Sequence, residues 1–156
     1  MQVNESDLDW KEYDNEETTF RRKELSNAVD ADQLGCSLYE LPPGQKSWPY
    51  HYHTANEEAI YVLSGEGQVR TPEGEQSVSE GTFLSFPADE SGGHRVINDS
   101  DGVLRYLAVS TMNEPDVTLY PDKETFGVYV GSPPGGRDER PFEGYFPMDA
   151  ETEYWD

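Results

Sequence analysis

The sequence predicts an all-β sandwich or barrel, and three observations carry that reading. Short alternating runs of Val, Ile, Leu, Phe and Tyr recur between Leu34 and Val109, turn-forming residues separate them at regular spacing, and no stretch repeats with helical period. At 156 residues the chain is one domain's worth, with a single core expected. Only 34% of residues are hydrophobic, but 12% are aromatic, and a few large rings supply much buried area.

In chain order, residues 1–19 carry seven acids and read as a solvated arm with Trp10 and Tyr13 as anchors. Residues 20–111 hold the strand pattern. Residues 33–41 alternate, with Leu34, Cys36 and Leu38 on one face and Gly35, Ser37 and Tyr39 on the other, and Pro42-Pro43-Gly44 ends the run. Residues 50–53 alternate again, placing His51 and His53 on one face and Tyr50 and Tyr52 on the opposite, outward one. Glu58, Ile60 and Val62 share a face before the Gly65-Glu66-Gly67 turn. Pro72-Glu73-Gly74-Glu75 and Asp99-Ser100-Asp101-Gly102 each predict a hairpin between their flanking strands, and Pro87 closes a strand over 82–86. Residues 112–156 are rich in Pro and Gly but also carry eight aromatic rings, so this extension is expected to pack on the barrel or on a partner subunit.

The chain carries 32 acids against 11 bases, a net charge of -21, with seven Arg to four Lys. The acids are spread through every loop, which reads as adaptation to high salt and a halophilic source, with repulsion screened by a short Debye length. Nucleic acid and anionic membrane are excluded as partners on the same ground. The single Cys36 forms no intrachain disulfide, no apolar run approaches membrane-spanning length, and the first seventeen residues lack a signal-peptide core. A cytoplasmic protein is expected.

The chain has three histidines: His51 and His53 fall in one short stretch followed by Glu57-Glu58, and His94 lies 41 residues beyond His53. Imidazole and carboxylate suit first-row divalent ions at about 2.0–2.2 Å. Histidines at i and i+2 of a strand reach one ion from the same wall. Glu58, an odd number of residues past His53, joins them only if Thr54-Ala55-Asn56 turns the chain. His94 completes a three-nitrogen, one-oxygen set that leaves open positions on an octahedral ion.

The spacing resembles the cupin superfamily. Gly44, His51, His53, Glu58 and Gly65 follow its first motif with one extra residue after Gly44. Gly81, Pro87, His94 and Asn98 follow its second, with Asp89 in place of a glycine and a loop two residues longer before His94. The spacing to Gly65 selects Glu58 over Glu57, and the longer loop would set Asp89 and Glu90 near the barrel mouth. The resemblance is to small single-domain, conserved-barrel cupins. It implies a double-stranded β-helix or jelly-roll barrel holding one divalent ion (Fe, Mn, Zn or Ni) on His51, His53, Glu58 and His94. It also implies a homodimer, for which Tyr50, Tyr52 and the aromatic extension offer a face.

By that resemblance the chain is a small metal-dependent enzyme, dioxygenase- or isomerase-like, acting on a small organic or sugar-derived molecule, with Glu58 as a possible catalytic group. The alternative is a cupin that binds or senses a small molecule without changing it. Ile60, Val62, Val96 and Asn98 share inward parity, so a largely apolar cavity floor is expected. Arg70, Arg95 and Arg105 read as solvent-facing partners of acids, which disfavours a phosphorylated substrate.

Overall fold

The computed structural model describes residues 1–155 and is a β-barrel of the jelly-roll type. Its strands are β1 (Lys11–Asn15), β2 (Thr18–Glu24), β3 (Leu34–Leu41), β4 (Tyr52–His53), β5 (Glu58–Ser64), β6 (Glu66–Thr71), β7 (Gly74–Ser79), β8 (Phe83–Phe86), β9 (Arg95–Ile97), β10 (Leu104–Thr111), β11 (Asp116–Tyr120), β12 (Thr125–Val130) and β13 (Phe142–Pro147). The helical segments among the described residues are single 3-10 turns. None is long and apolar enough to cross a membrane.

One wall is a six-stranded sheet in the order β1-β2-β3-β10-β5-β8. The other wall combines β7-β6-β9 with β13-β12-β11-β4. The segment from Lys46 to His53 joins its two parts, through bridges from Lys46 to Ile97 and from His51 to His94. Between the walls lies a core of Phe20, Tyr39, Leu41, Ile60, Val62, Val69, Val78, Phe86, Val96, Leu104 and Tyr106. The period-two alternation that marks these strands in sequence puts these side chains on the inner face.

The structure amends four expectations. Residues 11–15, in the stretch read as a solvated arm, form β1 and pair with β2 as the sheet's edge. Edge strands commonly carry charge, which protects the open edge from further pairing and here disguised a strand. Asp99-Ser100-Asp101-Gly102 does not close a hairpin, because β9 pairs with β6 whereas β10 pairs with β3 and β5. The buried Asn98 amide donates to Leu41 O and Gly102 O and its oxygen accepts from Ser100, so the chain crosses between walls there. Tyr50 is not outward: it is buried with the Arg70 guanidinium 4.2 Å above its ring, so it offers no exposed dimer face. Finally, the extension contributes β11, β12 and β13, and β11 pairs with β4.

Gly65 shows why one motif glycine is needed. Its φ is +85°, and a Cβ would stand 2.3 Å from Val103 O, so any side chain would be both strained and blocked.

Candidate metal centre

Two pairings position the histidines. His53 faces Thr118 of β11 in register, and His51 exchanges backbone hydrogen bonds with His94 at 3.3 and 3.0 Å. Alternation then directs both imidazoles inward. Glu58 opens β5, opposite Phe86 of β8 and Ser110 of β10. The required turn between His53 and Glu58 exists and is held by the extension. Thr54 bonds Val117 O, Ala55 N–H donates to Asp116, and buried Asn56 bonds Asn113 and Thr111. Glu57 points to solvent.

All three imidazoles present Nε2 to one oxygen. Glu58 Oε2 lies 3.7 Å from His51 Nε2, 3.2 Å from His53 Nε2 and 3.3 Å from His94 Nε2. Ligand atoms of His51, His53 and Glu58 are all within 4.8 Å of one another, a group able to hold a metal ion. His94 stands outside that tightest group and reaches it through the shared Glu58 oxygen. Its ring stacks on Phe86, at 3.8 Å and 10°.

The outer ring nitrogens fix the tautomers. His51 Nδ1 lies 2.7 Å from Pro49 O, His94 Nδ1 2.9 Å from Gly92 O, and His53 Nδ1 2.6 Å from Asp116 Oδ2. Each partner is an acceptor, so each Nδ1 carries a proton, and a neutral ring then turns its Nε2 lone pair toward Glu58. Lone pairs facing a carboxylate oxygen repel it unless a cation or a proton lies between. Glu58 Oε2 is buried and has no aligned hydrogen-bond partner. A buried carboxylate facing three imidazole nitrogens needs a cation or a proton among them to offset its desolvation. This residue set therefore fits a divalent cation.

The electrostatics agree. Burial opposes ionisation of Glu58, yet His53, His51 and His94 together outweigh it and hold the carboxyl well below its usual range. Burial and the neighbouring His51 push His94 down to about 4, leaving it neutral and ready to ligate. His53 goes the other way. Burial lowers it, but Glu58 and Asp116 outweigh burial and push it up to about 10.

Asp116 is the residue beside the site that sequence reading missed. It is fully buried, with Oδ2 on His53 Nδ1 and Oδ1 on Ala55 N–H at 3.0 Å. Thr118 Oγ1 adds a bond at 3.4 Å. Burial favours its neutral form, but the His53 bond and charge prevail and keep it below the usual carboxylate range. One carboxylate thus orients His53 and closes the turn that delivers Glu58.

Comparison with known proteins agrees with this architecture. Residues 37–110 match the family model described as a cupin domain. Those residues are a cupin domain. A provisionally named sugar phosphate isomerase from Acidithiobacillus ferrooxidans is similar at 25% identity and TM-score 0.80, over 95% of this chain and 90% of that one. A cupin-superfamily sugar phosphate isomerase from Silicibacter pomeroyi shares the fold at 22% identity and TM-score 0.80, over 96% and 94%. A predicted oxalate decarboxylase from Thermotoga maritima shares it at 22% identity and TM-score 0.61, over 71% and 98%. Among curated proteins no sequence matches significantly.

His51, His53 and Glu58 open into a cavity of about 990 Å³ between β2, β3, β10 and the extension. Its lining corrects three expectations. Ile60, Val62, Val96 and Asn98 belong to the sealed core rather than the cavity floor, and the polar lining includes Ser37, Tyr39, Ser110, Thr118 and Tyr120. Asp89 and Glu90 do not line the cavity. Asp89 instead caps a 3-10 turn by accepting from Ser91 N–H. Arg70, Arg95 and Arg105 do pair with acids, with Asp122, Glu17 and Glu5 respectively, but Arg95 lines the cavity with its side chain largely buried rather than facing solvent.

The raised His53 value has a signed consequence. Its folded pKa of about 10 exceeds the unfolded value of about 6.5. The charge therefore stabilises the metal-free fold fully below about pH 6.5, and that contribution is lost as pH rises through about 10. Binding of a cation must displace the same Nε2 proton. Calorimetric metal titrations between about pH 7 and 9, in buffers of different ionisation enthalpy, are expected to show proton release. A heat independent of buffer would refute the assignment.

Proposed function

We propose that this cupin is a divalent-metal-dependent isomerase acting on a small, sugar-derived hydroxycarbonyl compound, with His51, His53, Glu58 and His94 as the metal ligands. The observation that carries the reading is the buried Glu58 Oε2, faced by three Nε2 atoms and opening on a cavity lined by hydroxyl groups. Isomerisation is favoured over decarboxylation by the extent of the likeness. The two structures named as sugar phosphate isomerases align over 95% and 96% of this chain, extension included, and the oxalate decarboxylase over 71%.

A bound divalent ion would supply Lewis acidity, polarising a carbonyl and an adjacent hydroxyl. The protein's own contribution is positional. Pro49 O, Gly92 O and Asp116 hold the imidazoles in one tautomer, and Glu58 carries the negative charge that attracts the cation. The hydroxyl groups of Ser37, Ser110 and Tyr39 are placed along the cavity to bind substrate oxygens.

Isomerisation by proton transfer exchanges a hydrogen on the carbon beside the carbonyl. The protein loaded with Mn²⁺ is therefore expected to incorporate deuterium at that carbon when incubated with aldoses and ketoses in D₂O, read by NMR. Oxygen uptake by the Fe²⁺ form without exchange would move the assignment to an oxygenase. Tight sugar binding with neither exchange nor uptake would make it a binding protein.

A further inference from the structure

Resting on the isomerase reading, we infer that the cavity takes a free, uncharged sugar and discriminates against its phosphate ester. The ground is the state of the cavity's cations. A phosphate dianion is held by unengaged guanidinium or ammonium donors, preferably in bidentate geometry. Four cations line this cavity, Arg22, Arg95, Lys123 and Arg140, against six carboxylates.

The three guanidinium groups are already committed. Arg22 donates to Glu24 at 2.9 Å, to Tyr13 at 3.1 Å and to Tyr39 at 3.3 Å. Arg95 donates to Glu17, to Thr18 and to Ser47 O. Arg140 donates to Glu143 at 2.8 Å and to the carbonyls of Ser132 and Pro133. Their side chains are only 13%, 11% and 9% exposed, so rotating any one toward a phosphate would strand a partner. The fourth cation, Lys123, is exposed on the β11–β12 turn between Asp122 and Glu124. Around the whole sits a chain of net charge -21, whose field repels a dianion at any distance the salt leaves unscreened.

What the cavity offers instead suits neutral hydroxyl groups. Tyr39 is the clearest case. Its oxygen accepts from Arg22 and from Trp48 Nε1 at 3.0 Å, and among the described residues no acceptor takes its own proton. That proton is available to a ligand oxygen in the same cavity as His51, His53 and Glu58. Ser37 and Ser110 add further hydroxyls on β3 and β10.

The test compares matched probes on Mn²⁺-loaded protein by calorimetry: D-ribose against its terminal phosphate ester, and D-mannose against its own. The free sugar of at least one pair is expected to bind at least about tenfold more tightly than the ester, the cost of one unmet or mispaired polar group. Tyr39→Phe is expected to weaken the free sugar by about tenfold while leaving Mn²⁺ affinity unchanged. An ester that binds as tightly as its sugar in both pairs overturns the inference. So does a failure of all four to bind. Free sugar bound preferentially but never exchanged in D₂O would instead overturn the isomerase reading and leave this preference standing.

Discussion

Replacing Glu58 by Gln is expected to remove tight metal binding, weakening it by about 100-fold or more, since changes one shell further out already cost about 10–100-fold. The side chain is nearly isosteric, so the loss isolates the charge. In the wild type, excess Mn²⁺ should raise the melting temperature, because a ligand at 100 times its Kd adds about 2.7 kcal/mol to stability. Glu58→Gln should lose that rise. The metal-free variant should be less stable than the metal-free wild type at neutral pH, because the folded state favours the ionised Glu58 carboxylate and that carboxylate supports the charge on His53. A variant that keeps its metal-dependent shift would remove Glu58 from the ligand set.

Asp116 gives the second large effect, in two separable parts. Asp116→Asn keeps the shape but loses the charge that fixes His53, and metal affinity is expected to fall about 10–100-fold. Asp116→Ala should add a stability loss of about 3–5 kcal/mol, the usual cost of removing one partner of a buried charged pair. Metal titration and denaturant unfolding read the two parts independently. Equal metal affinity in wild type and both variants would mean that Asp116 serves only the turn.

How much of this was legible in the sequence follows from the reach of each signal. Parity placed His51 and His53 together and demanded a turn at Thr54–Asn56 if Glu58 was to join them, and the structure supplies it. Parity is local, and it says nothing of what a face meets. It put Ile60, Val62, Val96 and Asn98 inward, where they are, but not whether inward meant cavity or sealed core. Turn chemistry is also local. Asp99–Gly102 signals a chain reversal, yet pairing depends on which strands lie alongside, and β9 lies beside β6. Asp116 had no local signal, being one of 32 acids and 63 residues from His53. A buried acid is recognised only by its partners. The same holds for Arg22, Tyr39 and Trp48, whose mutual hydrogen bonds join β2, β3 and the loop before β4. Sequence therefore read the ligands better than what holds them, because ligand spacing is short and their supports are distant.

One divalent ion is expected among the three imidazoles and the Glu58 carboxylate. Anomalous diffraction from crystals grown with Mn²⁺, collected above its absorption edge, tests it most directly. The expected result is a single strong peak about 2.0–2.2 Å from His51 Nε2, His53 Nε2, His94 Nε2 and a Glu58 oxygen. No peak there at saturating Mn²⁺, or a peak that leaves His94 unbound, would contradict it.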